Sequence, residues 1–385
     1  MKYLVFVIVI GWVCSQPLSP GASPGAPLRG VTPRELELFR SGLDDFTEVE
    51  SAEDGLGPAY NGTSCASCHS VPAIGGVTAM TELHAAYVDE DGKFHPIEGG
   101  TLRHLFSIPN HRCQVQVPES ANLIARRMPL PVFGDGLVEA IADHVIAAQS
   151  DPDDLNGDGI SGRVAWVTDL ADGRTRAGRF GWKAQHATLL AFSADAYRNE
   201  MGITNELLPN EFALGIDPET MKECSPKRSI EDVRDRRTGL RGIDQFTNFM
   251  RLLAPIDRAP STPAAVRGAE LFAEVGCAAC HTPSMTTQSD GNPLFDRKPV
   301  PLYSDLLLHD VGTGDGIEQG AAAANEIRTP PLWGLRLRRP LLHDGSEQTL
   351  AGAIRRHSGE AARSREQYEL LGPGKELVRA FLDSL

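Results

Sequence analysis

Basic residues and long apolar runs are scarce in this 385-residue sequence, and each shortage excludes a class of protein. Basic residues number 37 against 51 acidic ones, and the net charge of −14 argues against nucleic acid as a partner, because phosphate binding needs a basic surface. Beyond the N-terminal residues, no apolar run approaches the roughly 20 residues of a membrane-spanning helix. Glycine (38) and proline (27) stay well below the roughly 25–30% typical of disordered chains. The sequence therefore predicts a loop-rich globular protein of about two to three domains.

The N-terminus has the pattern of an export signal. Lys2 is followed by an apolar segment, Tyr3–Val13, and then by small residues, which is the order found in secretory signal peptides. We expect residues 1–15 to be removed and the Pro/Gly/Ser-rich segment 16–30 to begin the mature chain. A lipid anchor on Cys14 is the second choice, because the residues before it are larger than such a site prefers. We therefore expect a periplasmic protein.

Four of the seven cysteines form two copies of one motif. The copies are Cys65-Ala66-Ser67-Cys68-His69 and Cys277-Ala278-Ala279-Cys280-His281. The Cys-x-x-Cys-His spacing is the attachment site of c-type haem. Two thiols on one short turn add to the two vinyl groups of a porphyrin, and the adjacent histidine binds the iron. We predict two covalently bound haem c groups, with His69 and His281 as iron ligands.

A zinc site or a redox dithiol could use the same cysteines. Zinc ribbons place their second pair about 15–20 residues from the first, whereas roughly 200 residues separate Cys68 from Cys277. A redox dithiol has no need of histidine in the same place twice.

Cys113 and Cys224 lie outside both motifs and the predicted signal peptide. In an oxidising compartment they form a disulfide or stay as two separate buried thiols.

Helix signals accompany both motifs. Thr32 and Thr262 are N-cap residues followed by proline, which predicts helices over Pro33–Arg40 and Ala264–Val275. A closing amphipathic helix is expected over Lys375–Leu385.

These elements predict a mainly α fold of two cytochrome c-like haem domains with long loops and little β structure. Residues 31–253 form an enlarged N-terminal haem domain with an insertion, 254–263 a linker, and 264–385 the C-terminal haem domain. Within the insertion, Gly136–Gln149 and Asp244–Leu253 have helical patterns, and short strands fit Arg163–Asp169, where the periodicity is weak.

One segment resembles the first half of a calcium loop. Asp154, Asn156 and Asp158 place oxygen ligands at alternate positions before Gly159. The twelfth position holds Ala165 instead of the bidentate glutamate. Either another carboxylate completes a calcium site, or the segment is an Asp/Gly turn.

The haem motifs lie in longer blocks that resemble one family. Asn61–Gly76 resembles the N-terminal haem signature of the di-haem oxidoreductases, a family assigned to peroxidases and formerly named thiol oxidoreductases. Further matching blocks are Gly157–Arg163, Gly178–Ala184, Tyr303–Asp310, Arg328–Gly334, Leu342–Gly345 and Leu371–Leu385. The family is similar to the bacterial di-haem cytochrome c peroxidases. There a C-terminal haem takes electrons from a small donor and feeds an N-terminal haem that reduces hydrogen peroxide.

The resemblance implies roles around the C-terminal haem. Arg328 matches an Arg-x-Pro of the peroxidases, and His343 matches their His-Asp-Gly, either as a catalytic residue or as a pocket histidine between the haems. The distal iron ligand falls on His357, where the peroxidases usually have methionine. Because methionine raises a haem potential relative to histidine, a His281/His357 haem should have a low potential, and the direction of electron flow stays open. Trp333 is expected on the path between the haems.

At the N-terminal haem the resemblance implies a distal histidine or an open sixth position. His84 follows His69 at a spacing similar to that of the displaceable ligand in the peroxidases. Competing ligands are His95, His104, His111, His144, His186, Met80 and Met128. Peroxide chemistry also needs a group that moves a proton between the two peroxide oxygens. Glu139 is the candidate, and a solvated helix carboxylate is the alternative interpretation.

We therefore expect an exported di-haem c-type oxidoreductase that reduces hydrogen peroxide. Its electrons would come from a c-type cytochrome or a cupredoxin, and the acidic chain suggests a basic donor. The alternative is a non-enzymatic electron-transfer protein in which both irons have six ligands.

Overall fold

The structure, a computed structural model, describes residues 23–97, 100–108, 117–211, 216, 218–224 and 230–385. In these ranges the helices are α1 (Pro33–Thr47), α2 (Asp135–Glu139), α3 (Asp143–Ala147), α4 (Leu189–Met201), α5 (Pro218–Cys224), α6 (Gly242–Leu252), α7 (Pro263–Glu274), α8 (Leu350–Arg356), α9 (Ala362–Leu370) and α10 (Gly374–Leu382). None of these described helices is long and apolar enough to cross a bilayer. The predicted signal peptide and Cys14 lie outside the described residues.

The strands are short. They are β1 (Ala59–Tyr60), β2 (Glu82–Val88), β3 (Phe94–Pro96), β4 (Leu102–Arg103), β5 (Phe106–Ser107), β6 (Leu123–Arg127), β7 (Trp166–Thr168), β8 (Thr175–Ala177), β9 (Met285–Thr286), β10 (Pro299–Val300), β11 (Leu308–His309) and β12 (Ile327–Arg328). In the largest sheet, β2 pairs with β3, β4 and β6, all antiparallel. The expectation of little β structure therefore needs correction, because the insertion contains a four-stranded sheet. The predicted strand near 163–169 is found as β7.

Both leading helices begin as their caps predict. The Thr32 hydroxyl accepts from Glu35 N (3.2 Å), and the Glu35 carboxylate accepts from Thr32 N (2.7 Å), which closes a capping box. α1 continues to Thr47, beyond the predicted end at Arg40. In α7 the Thr262 hydroxyl accepts from Ala265 N, and Gly276 follows the helix at φ +91°. This left-handed conformation suits glycine and turns the chain into the second motif.

Each leading helix crosses a later helix at a glycine. A Cβ placed on Gly42 of α1 would lie 2.3 Å from the carbonyl oxygen of Gln245 in α6. A Cβ on Gly268 of α7 would lie 1.9 Å from the carbonyl oxygen of Leu377 in α10. Both halves of the chain thus contain a leading helix, a Cys-x-x-Cys-His turn and a closing helix that packs on the first.

The segment predicted to be one helix over 136–149 forms two short helices, α2 and α3. The break leaves carbonyl groups without helical partners, and the Arg179 guanidinium donates to those of Val138, Glu139 and Ile141. Arg179 also pairs with Asp143 at the start of α3. A buried cation from a distant part of the chain therefore stabilises a break that the local sequence does not mark.

One buried cluster joins the two predicted haem domains, and the C-terminal domain has a second cluster of its own that includes Phe272 and Phe381. Ile243 and Phe249 of the first half lie in the same buried cluster as Val300 and Leu302 of the second. The predicted linker over 254–263 is held at two points. Ala254 N donates to Ala26 O (3.0 Å), and Ala259 N donates to Ser384 O (2.8 Å). The linker is therefore packed into the fold and does not form a free hinge.

Candidate functional site

The first motif forms a tight turn that directs its side chains to one side. The Ser64 hydroxyl accepts from Ala66 N (3.2 Å), and His69 N donates to Cys65 O (3.0 Å). His69 Nδ1 is hydrogen-bonded to Gly76 O (3.1 Å). A ring held in this way presents its other nitrogen, Nε2, as a metal ligand.

The second motif repeats this arrangement. Cys277–Ala279 form a turn after Gly276, and His281 Nδ1 is hydrogen-bonded to Tyr303 O (3.1 Å). Burial, with a smaller effect of His357, lowers the pKa of His281 to about 4. The imidazole is therefore neutral at physiological pH, which is the form that binds a metal.

The motif cysteines do not form disulfides and are not poised as thiolates. Cys65, Cys68, Cys277 and Cys280 are free. Burial raises the pKa of Cys65, Cys68 and Cys277 to about 12. A reactive dithiol needs the thiolate, so these protonated thiols disfavour the dithiol alternative.

A cavity of about 1270 Å³ lies at the second motif. Cys277, Cys280 and His281 line it, and His357 lines it as well. His357 caps the end of α8, where its Nδ1 is hydrogen-bonded to Ala353 O (2.8 Å). The cavity thus has two thiols, and in His281 and His357 it has two histidines whose Nδ1 is held by a carbonyl and whose Nε2 has no partner among the described residues. His309 and His343 line it as well. This donor set fits a haem with two histidine ligands.

Two further residues predicted near the C-terminal haem line the same cavity. Arg328 donates from Nε to Gly181 O (2.7 Å) and is 3% exposed. His343 lies edge-on to Trp182, with ring centroids 6.1 Å apart. These placements are consistent with a pocket position for His343.

A buried charged cluster touches this cavity at His309. His309 Nε2 donates to Asp305 Oδ2 (2.9 Å), and Nδ1 donates to Glu360 Oε2 (2.8 Å). Burial alone would lower the pKa of His309, but the bonds to Asp305, Cys280 and Glu360 outweigh it and raise the pKa to about 12. A permanently charged imidazolium therefore lies beside the thiol of Cys280, 3.9 Å from its Sγ.

A second cavity, of about 790 Å³, lies at the first motif. Cys65, Cys68 and His69 line it, and His69 is the one histidine among the described residues of its wall. Two carboxylates, Glu82 and Glu200, are also in the wall. The two cavities therefore differ in the chemistry available opposite the motif histidine.

Glu200 is the buried acid of this cavity. Asn61 Nδ2 donates to its Oε2 (2.9 Å). Burial, reinforced by the nearby charge of Glu82, raises the pKa of Glu200 well above its ordinary value. Glu200 therefore keeps its proton to a higher pH than an exposed glutamate does. It lies at the end of α4, far along the chain from His69, and no local sequence signal marks it.

Glu139, the predicted acid–base residue, does not line either haem-sized cavity. Its Oε1 accepts from Leu189 N at the start of α4, and its Oε2 accepts from Arg251 Nε, both at 2.8 Å. Both oxygens thus have structural partners. The geometry does not support the prediction for Glu139, whereas Glu200 is a buried acid that lines the N-terminal cavity.

His84 is buried in β2 outside the described cavity wall. Its Nδ1 is bonded to the Thr101 hydroxyl (3.0 Å), and its Nε2 to Glu82 Oε2 (3.1 Å). Because both ring nitrogens are engaged, the geometry does not support His84 as the distal ligand. Of its competitors, Met80 lines the cavity.

A pocket of about 420 Å³ lies between the two cavities. It shares Val132 and Phe192 with the wall of the N-terminal cavity, and Arg328 and Arg338 with the wall of the C-terminal one. Trp333 lines this pocket and not the C-terminal cavity. Its placement between the cavities agrees with the predicted path.

The Asp/Gly loop is organised by its own backbone. Gly159 N donates to both carboxylate oxygens of Asp154, Asp158 N donates to Asn156 Oδ1, and Ile160 N donates to Asp158 Oδ1. In the described ranges the one metal-compatible cluster of acidic, histidine and cysteine side chains is Cys280–Asp305–His309. This geometry favours the turn interpretation, and calcium binding stays a prediction.

The remaining cysteines are described only in part. Cys224 is disulfide-bonded, while Cys113 lies outside the described residues. The pairing of these two cysteines therefore stays a prediction.

Comparisons with solved structures give distant likenesses. Hydrazine synthase of Kuenenia stuttgartiensis is 14% identical, with all of both chains covered and a TM-score of 0.44. A MauG-like protein associated with microbial copper homeostasis is 18% identical over 66% of this chain and 89% of its own (TM-score 0.33). The diheme peroxidase BthA of Burkholderia thailandensis is 15% identical over 95% of this chain and 89% of its own (TM-score 0.34). No curated protein sequence matches the chain.

The family comparison is decisive. The family described as "Di-haem oxidoreductase, putative peroxidase" matches residues 107–385, which include the second motif, His343 and His357. The protein belongs to the di-haem oxidoreductase family. This membership agrees with the two cavities, each built on a Cys-x-x-Cys-His turn.

Proposed function

We propose that this protein is an exported di-haem c-type oxidoreductase that reduces hydrogen peroxide at the N-terminal cavity, with electrons delivered through the C-terminal one. The observation that carries the proposal is the difference between the cavities. The C-terminal cavity offers His281 and His357, whereas the described wall of the N-terminal cavity offers His69 and a buried acid with a raised pKa, Glu200. A fully ligated centre suits electron transfer, and a centre with an accessible position suits a small oxidant.

The residues that would hold the two haems are the motif side chains. Cys65 and Cys68 would form the thioether bonds of one haem, and Cys277 and Cys280 those of the other. His69, His281 and His357 would bind iron through Nε2, since each Nδ1 is occupied by a backbone carbonyl. When bound, haem supplies an iron that exchanges single electrons and binds an oxygen-containing ligand.

Glu200 supplies the proton that peroxide reduction consumes. Reduction of one hydrogen peroxide to two waters takes two electrons and two protons and breaks the O–O bond. A carboxyl group that stays protonated in an apolar cavity can donate to the departing oxygen. Glu82, whose side chain is 38% exposed, shares the wall and can restore the proton from solvent. His84 positions Glu82 through the 3.1 Å bond.

The proposed partners follow from charge and cofactor. The chain carries a net charge of −14, so a small basic c-type cytochrome or cupredoxin is the expected donor. A periplasmic location after removal of residues 1–15 is part of the proposal. The proposal also includes a low midpoint potential for the haem at the C-terminal site, as expected of a haem with two histidine ligands.

One observation favours a second function, that of an electron carrier without a substrate. Met80 lines the N-terminal cavity, and a thioether is a common sixth ligand in cytochromes. If Met80 bound the iron, both centres would be fully ligated.

Optical and EPR spectra of the oxidised and half-reduced protein test the proposal. We expect at least one high-spin centre in one of these states and peroxide turnover with a reduced donor. Low-spin centres throughout, with no turnover, would establish the carrier function instead.

Glu200→Gln should abolish most turnover at unchanged haem content. Glu139→Gln is the matched control, and a larger loss in Glu139→Gln than in Glu200→Gln would contradict the assignment.

A further inference from the structure

Arg338 has no partner for its charge in the described part of the chain. It follows the turn Leu335–Leu337, and its side chain lines both the C-terminal cavity and the pocket between the cavities. Its backbone carbonyl accepts from Arg339. No described group accepts a hydrogen bond from its guanidinium or forms an ion pair with it.

The other arginines of these walls are held by protein groups. Arg365 donates to His357 O (3.0 Å), and Arg328 donates to the carbonyls of Gly181 and Thr329. Arg179 pairs with Asp143. Among the described arginines that line either space, Arg338 is thus the one whose donors face no protein acceptor.

The nearby acid does not balance this charge. Asp135 lines the pocket between the cavities, and burial raises its pKa to about 7 despite the opposing effect of Arg328. Asp135 forms no ion pair among the described residues. Arg328 and Arg338 therefore leave the shared wall with an excess of positive charge. Arg328 is buried and Arg338 is half-buried. An uncompensated charge away from bulk water is costly, so this wall favours an anionic group.

We propose that Arg338 binds a carboxylate at this wall, and that the carboxylate is a propionate of the haem in the C-terminal cavity. This inference rests on the proposed function in that it requires haem at Cys277 and Cys280. Haem carries two propionates on the edge opposite the vinyl groups that those cysteines would bind. The guanidinium presents paired donors that match a carboxylate. A free carboxylate anion is the other source of the same chemistry.

The test is the pH dependence of the midpoint potential of the C-terminal haem, measured by spectroelectrochemistry on the full haem-loaded protein. A neighbouring cation lowers a carboxyl pKa by about 1–3 units. The midpoint potential changes its slope with pH at the pKa of the carboxyl group, and this bend in the curve should therefore lie about 1–3 pH units higher in Arg338→Gln. Arg338→Lys keeps the charge but loses the paired donors. Its bend should lie at a pH between those of Arg338→Gln and the wild type.

Arg355→Gln is the matched control, because it removes one exposed positive charge from α8 of the same haem unit and should leave the bend in place. A bend at the wild-type pH in both Arg338 variants would overturn the proposal. A wild-type bend that moves with added acetate would identify a free anion and overturn the propionate assignment. A mass spectrum that shows no haem on Cys277 and Cys280 would refute the proposed function itself. Bound haem, with the slope change of the midpoint potential at the same pH in the variants as in the wild type, would refute only this inference.

Discussion

Replacing Gly268 with alanine sets two effects on stability against each other. Gly268 lies inside α7, where helix propensity alone favours alanine by about 1 kcal/mol. Packing opposes the change, because a Cβ would lie 1.9 Å from the carbonyl oxygen and 2.6 Å from the carbonyl carbon of Leu377. These are backbone atoms of α10, so the whole helix has to move.

The size of the effect follows from this contact. Overpacking a filled interior costs about 1–3 kcal/mol, and a clash with backbone belongs in the upper half of that range. Less the gain in propensity, Gly268→Ala should lower the free energy of unfolding by about 1–2 kcal/mol. α10 also carries Val378 and Leu382, which line the C-terminal cavity. The visible spectrum of the haem bound there should therefore change as well.

Guanidinium unfolding of the haem-loaded protein, followed by circular dichroism and visible absorbance, measures the loss. Gly291→Ala is the control, because a Cβ at Gly291 meets nothing within 4 Å. Its stability should stay within about 0.5 kcal/mol of the wild type. A Gly268→Ala protein as stable as the wild type, with the control unchanged, would refute the close crossing of α7 and α10.

Three further predictions concern the buried polar groups. His357→Met should raise the midpoint potential of the C-terminal haem, and unchanged EPR and visible spectra would remove His357 from the iron. His309 has a pKa raised to about 12, so its contribution to stability is complete below about pH 6.5 and declines as the pH rises towards 12. Between pH 7 and 10 the free energy of unfolding should therefore fall more steeply in the wild type than in His309→Gln, by up to about 1.4 kcal/mol per pH unit, and parallel curves would contradict this. Asp315→Ala removes the carboxylate that pairs with two buried cations, Arg127 and Lys183. It should lower the free energy of unfolding, measured with a chemical denaturant, by about 3–5 kcal/mol. The exposed-pair control Asp172→Ala should cost at most about 1 kcal/mol, and equal losses in the two variants would count against the buried network.

Features set by local sequence could be predicted, and features set by distant contacts could not. The caps at Thr32 and Thr262 and the turns of both motifs depend on a few adjacent residues, so their positions were predictable. The break between α2 and α3 depends on Arg179, some 40 residues away. The strand β2 has two consecutive alanines and no alternating pattern, so its sheet is defined by its partners.

The candidate site divides in the same way. The motif residues stand in recognisable blocks, and His357 matches the position of the distal ligand in the peroxidases. The structure brings His281 and His357 into one cavity. Glu139 was the predicted acid–base residue, yet its oxygens accept hydrogen bonds from Leu189 and Arg251. Glu200 lines the N-terminal cavity only because α4 packs near the first motif, and packing of this kind has no local signature.

The glycine crossing of α1 and α6 has a consequence for the order of folding. Ser41 and Gln245, which are hydrogen-bonded across this pair, are 204 residues apart in the chain. The α7 and α10 crossing joins residues about half as far apart, and each doubling of a loop adds about 0.6 kcal/mol to the entropy cost of closing it. Long-range contacts of this kind form slowly. If the chain is exported as proposed, the first motif would emerge earlier but close later than the second. Cys65 and Cys68 would then stay accessible to the proposed haem attachment for longer than Cys277 and Cys280.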